Sequence, residues 1–125
     1  MLEITKTFGF EAAHFQPAAP EGHPNRRVHG HSFVADVTLA GEASPQKGMI
    51  RDFEDVDRAL ARVRDLLDHQ LLNDIAGLGV PTLEHLARFI FDQVKGDLPE
   101  IVRVAVRRPA LGQTCCYAPA VKGHS

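Results

Sequence analysis

The sequence has few cysteines, no marked excess of either charge and no long apolar run. Its two cysteines, Cys115 and Cys116, are adjacent, and neighbours on a strand point to opposite faces, which excludes a disulfide framework or a cysteine zinc site. A formal net charge of −2 gives no basic field for nucleic acid or an anionic membrane. The start of the chain, MLEITKTFGF, lacks the basic-then-apolar pattern of a secretory signal. We therefore expect a cytoplasmic protein that binds neither nucleic acid nor membrane.

What the chain does have is an ordinary globular composition and many histidines. Its 125 residues allow one domain, which we assign to residues 1–125. Apolar residues make up 44% and charged residues 24%, as in a soluble folded protein. Seven histidines occur, and four of them lie between His14 and His31. Their spacing is therefore the feature to explain.

Alternating apolar residues predict four β-strands. The first covers residues 2–14 and the second covers about residues 28–40, with a loop rich in proline and glycine between them. Residues 101–107 form a third candidate, in which Val102, Val104 and Val106 alternate with other residues. Residues 114–118 are a weaker fourth.

Two amphipathic helices are predicted between the second and third strands. Asp52 has the character of an N-cap, and an apolar stripe with helical spacing follows it to about Leu67. Thr82 is the N-cap of the second helix, whose stripe ends near Val94. The order strand, strand, helix, helix, strand, strand predicts an α+β fold. We expect a four-stranded antiparallel sheet with both helices on one face.

Three histidines form a candidate metal site. His29 and His31 are two residues apart on a predicted strand and so project from the same face. His14 ends the first strand and can face them if the two strands are antiparallel neighbours. Three imidazoles with an open fourth position are typical of a catalytic zinc site. The alternative is that each histidine is an ordinary hydrogen-bonded strand residue, since a His-x-His pair alone is a weak signal.

Five segments of the chain form a set of motifs. In chain order they are FEAAH (10–14), VHGHSF (28–33), GMIRDF (48–53), LDHQLLN (67–73) and PTLE (81–84). They resemble segments of the 6-pyruvoyl/6-carboxy-tetrahydropterin synthase family, and the bacterial 6-carboxy branch of the queuosine route is the more similar. Their order and spacing match the family from about residue 4 to residue 118. The resemblance implies the tunnelling fold (T-fold), in which trimers close into barrels and two trimers stack into a homohexamer.

The resemblance also implies a chemistry. The cofactor would be one Zn²⁺ on His14, His29 and His31, and the substrate would be 7,8-dihydroneopterin triphosphate. Zinc would bind the side-chain hydroxyls and acidify the neighbouring C–H bonds, triphosphate would leave, and the carboxy branch would also release acetaldehyde. Asp68 would orient His69, the proton-transfer residue. The alternative for this pair is that Asp68 only ends the first helix and His69 interacts with the helix dipole.

Two positions depart from the family pattern. The family's catalytic cysteine, four residues before the His-Gly-His pair, is replaced by Asn25, and the pterin-anchoring glutamate that ends the third strand is replaced by Arg108. A carboxamide does not exchange a proton near neutral pH, and a guanidinium has only donors. We expect Asn25 and Arg108 to contact the substrate, together with His23 beside Asn25 and Thr82 of the helix-start motif.

Two functional hypotheses follow. In the first, the protein is a zinc-dependent pterin lyase with a substituted proton donor. In the second, it keeps fold and zinc but binds another ligand or regulates a partner, and Arg108 meets a carboxylate or phosphate. A purely structural zinc is not favoured, because three ligands leave one coordination position open.

Overall fold

The computed structural model describes residues 1–119. It contains four strands and two α-helices in the predicted order. They are β1 (Leu2–His14), β2 (His29–Gly41), α1 (Phe53–Leu67), α2 (Leu83–Val94), β3 (Ile101–Arg108) and β4 (Gln113–Tyr117). Within residues 1–119, no helix is both long enough and apolar enough to cross a membrane.

The strands form one antiparallel sheet in the order β1-β2-β3-β4. Helix α1 packs against β1, and α2 packs against β3 and β4. Both helices cover the same face, where the inward residues of the first two strands, such as Phe10 and Phe33, join the core. The predicted α+β architecture is confirmed.

Each helix begins at the predicted cap. The Asp52 carboxylate accepts a hydrogen bond from the N–H of Glu54 at 2.9 Å, and the Thr82 hydroxyl accepts one from the N–H of His85 at 3.2 Å. These bonds satisfy main-chain donors that have no partner inside a helix. Helix α1 ends when Asp68 leaves the helical conformation, which directs the chain back towards β1. The buried stripe of α1 consists of Val56, Ala59, Leu60, Val63 and Leu67.

A bulge changes the predicted alternation in β3. Thr38 pairs with Arg103, but Leu39 pairs with Ile101, so Val102 has no register partner. Ile101 is therefore buried at the start of the strand and Val102 is only half-buried. A β-bulge inserts one residue into the ladder and shifts the side chains that precede it to the other face.

The face of the sheet opposite the helices is polar. It carries hydrogen bonds and ion pairs between strands. Those between neighbouring strands are Thr5–Thr38, Thr7–Asp36, Asp36–Arg107 and Glu11–Ser32, and the Glu3–Arg103 pair joins β1 to β3 across β2. Opposite charges facing each other across strands stabilise the pairing. The apolar core therefore lies on the helical side only, and the three histidines lie on that side too.

Candidate active site

The register of β1 and β2 brings the three histidines together. His14 lies directly opposite His29, and His31 lies opposite Ala12, two residues along the ladder. The three rings meet edge to face, with centroids 4.6–5.0 Å apart. One ring nitrogen from each residue lies within 4.8 Å of the others. The predicted three-histidine cluster is thus present at the core side of the sheet.

Main-chain carbonyls fix the orientation of two of the imidazoles. The Nδ1 of His14 lies 2.9 Å from the carbonyl oxygen of Pro81, and the Nδ1 of His29 lies 2.7 Å from that of Arg27. A carbonyl oxygen only accepts, so each Nδ1 carries the proton and donates it. In the neutral rings both Nε2 atoms are then unprotonated. Carbonyl bonds of this kind orient metal-binding histidines.

The facing nitrogen atoms fit a metal ion. The Nε2 atoms of His14 and His29 are 3.0 Å apart, and two lone pairs at that distance repel each other unless a proton or a cation lies between them. His14 is buried, and a buried polar group needs a partner. A set of three imidazole donors suits zinc and leaves a position for water or substrate.

Electrostatics keeps two of the rings neutral. Burial, followed by the charges of His14, Arg108 and His29, lowers the pKa of His31 to about 4. Burial is also the main cause that lowers the pKa of His14. Neutral imidazole is the form that binds a metal, so these two candidate ligands are in the metal-binding form near neutral pH.

Asp68 and His69 lie beside the cluster. The lining of an open cleft of about 500 Å³ includes both His31 and His69. The Asp68 carboxylate accepts hydrogen bonds from the N–H of Glu11 and from Nδ1 of His69, both at 2.9 Å. The Glu11 bond is the main cause that holds the pKa of Asp68 below its usual range. Asp68 therefore ends α1, as the alternative interpretation supposed, and also contacts His69.

Sequence reasoning did not identify Arg64 at this position. Its guanidinium lies 3.2 Å from the Asp68 carboxylate and donates to the carbonyl oxygen of Gly9 at 2.9 Å. Arg64 and Asp68 are four residues apart at the end of a helix, a spacing that favours an ion pair. The four-residue spacing of Arg64 and Asp68 is the feature of the sequence from which this ion pair could have been predicted.

His69 adopts an unusual backbone conformation. Its φ is 59°, and it is the one non-glycine residue with positive φ within residues 1–119. The His69 N–H donates to the carbonyl oxygen of Glu11 at 2.6 Å, and the N–H of Ala13 donates to the carbonyl oxygen of Gln70 at 3.0 Å. These bonds attach residues 68–70 to the edge of β1. They place the imidazole over the cleft at the cost of a strained backbone.

This strain predicts an unequal response to two substitutions. His69→Gly is expected to be about 0.5–1 kcal/mol more stable than His69→Ala, because alanine keeps the penalty of positive φ and glycine does not. Urea unfolding of the two variants measures the difference. An alanine variant more stable than the glycine variant would contradict the assigned conformation.

A second cavity adjoins the cluster. It has a volume of about 250 Å³, and its lining includes the three histidines, Asn25 and Arg108. The Nε of Arg108 is fully buried and has no hydrogen-bond partner within residues 1–119. The two positions that depart from the family pattern thus share one cavity with the candidate metal ligands.

The other two predicted substrate residues have different surroundings. His23 caps a short 3₁₀ turn, where its Nδ1 accepts the N–H of Asn25 at 3.1 Å. Thr82 caps α2 and directly follows Pro81, whose carbonyl oxygen holds His14. Both are among the described residues 1–119 and lie outside the linings of the two cavities. Substrate binding by His23 and Thr82 stays a prediction.

Known proteins resemble this chain over most of its length. The family model described as 6-pyruvoyl tetrahydropterin synthase matches residues 3–119. A 6-carboxy-5,6,7,8-tetrahydropterin synthase of Synechocystis is 41% identical over 100 residues, which cover 76% of each chain. The Bacillus subtilis protein of the same name is 32% identical over 134 residues, covering 98% of this chain and 88% of the relative.

A solved structure has a similar fold. The 6-pyruvoyl tetrahydropterin synthase of Caenorhabditis elegans superposes with a TM-score of 0.84 at 23% identity, covering 95% of this chain and 96% of the other. This similarity identifies the four-stranded sheet with two helices as the T-fold. The expected fold and family are confirmed, and the chain belongs to the 6-pyruvoyl tetrahydropterin synthase family.

Proposed function

We propose that this protein is a zinc-dependent lyase of the tetrahydropterin synthase type. Its substrate in this proposal is 7,8-dihydroneopterin triphosphate or a related pterin. The observation that carries the proposal is the convergence of three imidazoles from two paired strands, beside a carboxylate–imidazole pair. The names of the relatives in Synechocystis and Bacillus subtilis support the same reaction class.

His14, His29 and His31 would hold the zinc ion. Bound there, zinc would act as a Lewis acid that polarises substrate oxygens and acidifies adjacent C–H bonds. The chain itself contributes the orientation of its ligands, through the carbonyl oxygens of Pro81 and Arg27. The buried surroundings of His14 also limit access of water to the ligand shell.

His69 would transfer protons in the cleft that it shares with His31. Its Nδ1 is engaged by Asp68, so Nε2 is the atom that can accept or release a substrate proton. The side chain is 78% exposed, which leaves that atom open to the cleft. Asp68 stays ionised because of its bond from Glu11, and its negative charge stabilises the protonated imidazole.

Asn25 and Arg108 would contact the substrate from the smaller cavity. Both line it together with the three histidines. Neither side chain reproduces the chemistry of the family residue at its position, since an amide exchanges no proton and a guanidinium accepts no hydrogen bond. We therefore expect slower turnover of dihydroneopterin triphosphate than in typical members of the family.

The assembly proposed is a homohexamer built from two trimers. Strands β1 and β4 form the edges of the sheet, and an open edge favours pairing with a neighbouring chain. Residues 68–71 cover only the end of β1 near His14. A monomer in light scattering would contradict this assembly.

The cytoplasmic location expected from the sequence stays a prediction.

A second function is favoured by one observation. Arg108 lines the cavity in which a pterin would need an acceptor, and its buried Nε has no hydrogen-bond partner within residues 1–119. In this alternative the chain keeps fold and zinc, has lost the lyase activity, and binds another ligand or regulates a partner.

The assay that separates the two functions measures triphosphate release. Zinc-loaded protein is incubated with dihydroneopterin triphosphate, and His31→Ala serves as the matched control without a complete ligand set. The proposed lyase releases triphosphate slowly, and the control releases none above background. Equal, background release from both proteins would reject the lyase and favour the alternative.

A further inference from the structure

Arg108 differs from the other arginines of its strand. Arg103 donates two hydrogen bonds to the Glu3 carboxylate, at 3.0 and 2.6 Å, and Arg107 donates two to Asp36, at 2.9 and 3.2 Å. Arg108 forms no ion pair with any residue in the described part of the chain, 1–119. Among the described residues, β3 thus carries two guanidinium groups in ion pairs with carboxylates and a third, partly buried one that is in no ion pair.

The third guanidinium is charged and partly desolvated. Burial lowers the pKa of Arg108, and the nearby negative charge of Glu84 opposes that effect. The pKa of arginine is so high that the side chain nevertheless remains a cation. Its Nε is a buried donor without a hydrogen-bond partner within residues 1–119, which is unfavourable, and an acceptor bound there would remove that cost.

The surroundings of Arg108 indicate which kind of acceptor can bind to its guanidinium. The cavity is lined by the three candidate metal ligands, by Leu111 and by the amides of Gln16, Asn25 and Gln113. Carboxylates are missing from this lining among residues 1–119. The cavity has a volume of about 250 Å³. The guanidinium fork binds planar or tetrahedral oxyanions through two parallel hydrogen bonds.

We propose that Arg108 binds an oxyanion, a carboxylate or phosphate group, of the ligand that occupies this cavity. The other end of that ligand lies towards His14, His29 and His31. The inference rests on the proposed function in treating the histidine cavity as the ligand site. It adds the class of ligand: a molecule with an oxyanion at the position where a pterin presents N–H donors.

Arg108 then acts as a specificity residue. A site that pairs a ligand's hydrogen-bonding groups rejects an analogue whose groups do not match, because the buried partner is left unsatisfied. The N–H edge of a pterin facing Arg108 sets donor against donor, whereas an oxyanion supplies acceptors. Arg108 thus weakens the binding of ligands that present N–H donors to it and strengthens the binding of ligands that present an oxyanion.

Anion binding tests the proposal without an activity measurement. Titration calorimetry is performed on the full chain as purified, with inorganic phosphate and with malonate as probes. Wild-type protein is compared with Arg108→Met and Arg108→Gln, and Arg103→Met is the matched control from the same strand. Two neutral variants are used so that a folding defect in one does not decide the result.

The expected result is a loss of affinity confined to position 108. Both Arg108 variants should bind at least one probe about tenfold more weakly than the wild type and Arg103→Met, equivalent to about 1.4 kcal/mol. Equal affinity in wild type and the folded Arg108 variants, or equal loss in Arg103→Met, would overturn the proposal.

Triphosphate release is measured separately. A protein that binds anions through Arg108 but releases no triphosphate rejects the lyase and retains this inference.

Discussion

His69→Ala is expected to reduce triphosphate release to background while leaving zinc content and melting temperature nearly unchanged. General acid–base catalysis contributes roughly 10²–10⁴-fold to rate, and His69 is the residue placed for it. Its imidazole is fixed by Asp68 and is exposed over the cleft that contains His31. The substitution removes the proton-transfer group but none of the candidate zinc ligands.

The matched control for this prediction is His85→Ala. His85 is an exposed histidine in the first turn of α2, outside both cavities around His31. This variant should retain wild-type release, which shows that loss of an arbitrary histidine has no effect. A His69→Ala protein as active as the wild type would remove the catalytic role, and Asp68 and His69 would then be a helix terminus only.

The double substitution Asn25→Cys with Arg108→Glu is expected to increase turnover of dihydroneopterin triphosphate. A thiol can exchange a proton near neutral pH, which restores a contribution of roughly 10²–10⁴-fold. A carboxylate at position 108 can accept hydrogen bonds from pterin N–H groups, and an unmatched buried polar group costs about 1–3 kcal/mol. Both side chains line the same cavity, so their effects act on one bound substrate.

Three further variants separate the contribution of the thiol at position 25 from that of the carboxylate at position 108. Each single substitution should recover less activity than the pair, since the thiol and the carboxylate act on different steps. Asn25→Ser combined with Arg108→Glu is the control that restores the anchor without the thiol. Initial rates of triphosphate release are compared at saturating substrate. Wild-type turnover at the rate of the Bacillus subtilis relative would show that other residues already fill both roles.

The sequence predicted the fold because its local signals agree with one another. Caps at Asp52 and Thr82 and two regular apolar stripes defined both helices, and alternation defined the strands. The alternation did not predict the bulge at Val102, because a shift in register depends on the partner strand.

The cluster of three histidines was predictable from the sequence, and the rest of the candidate site was predictable only in part. His29 and His31 share a face by strand geometry alone, and His14 required one assumption, that the two strands are paired neighbours. The positive φ of His69 has no local signal, because a non-glycine residue adopts it only when tertiary hydrogen bonds impose it. The lack of a partner for the Nε of Arg108 among residues 1–119 likewise emerges only from the packed structure.

The central claim is that His14, His29 and His31 hold one zinc ion, and metal analysis of purified protein tests it most directly. The wild type should contain about one zinc per chain, and His29→Ala and His31→Ala should contain almost none. His23→Ala, a histidine of the adjoining loop that lies outside the cluster, should retain the wild-type amount. Full zinc content in both His29→Ala and His31→Ala would contradict the account.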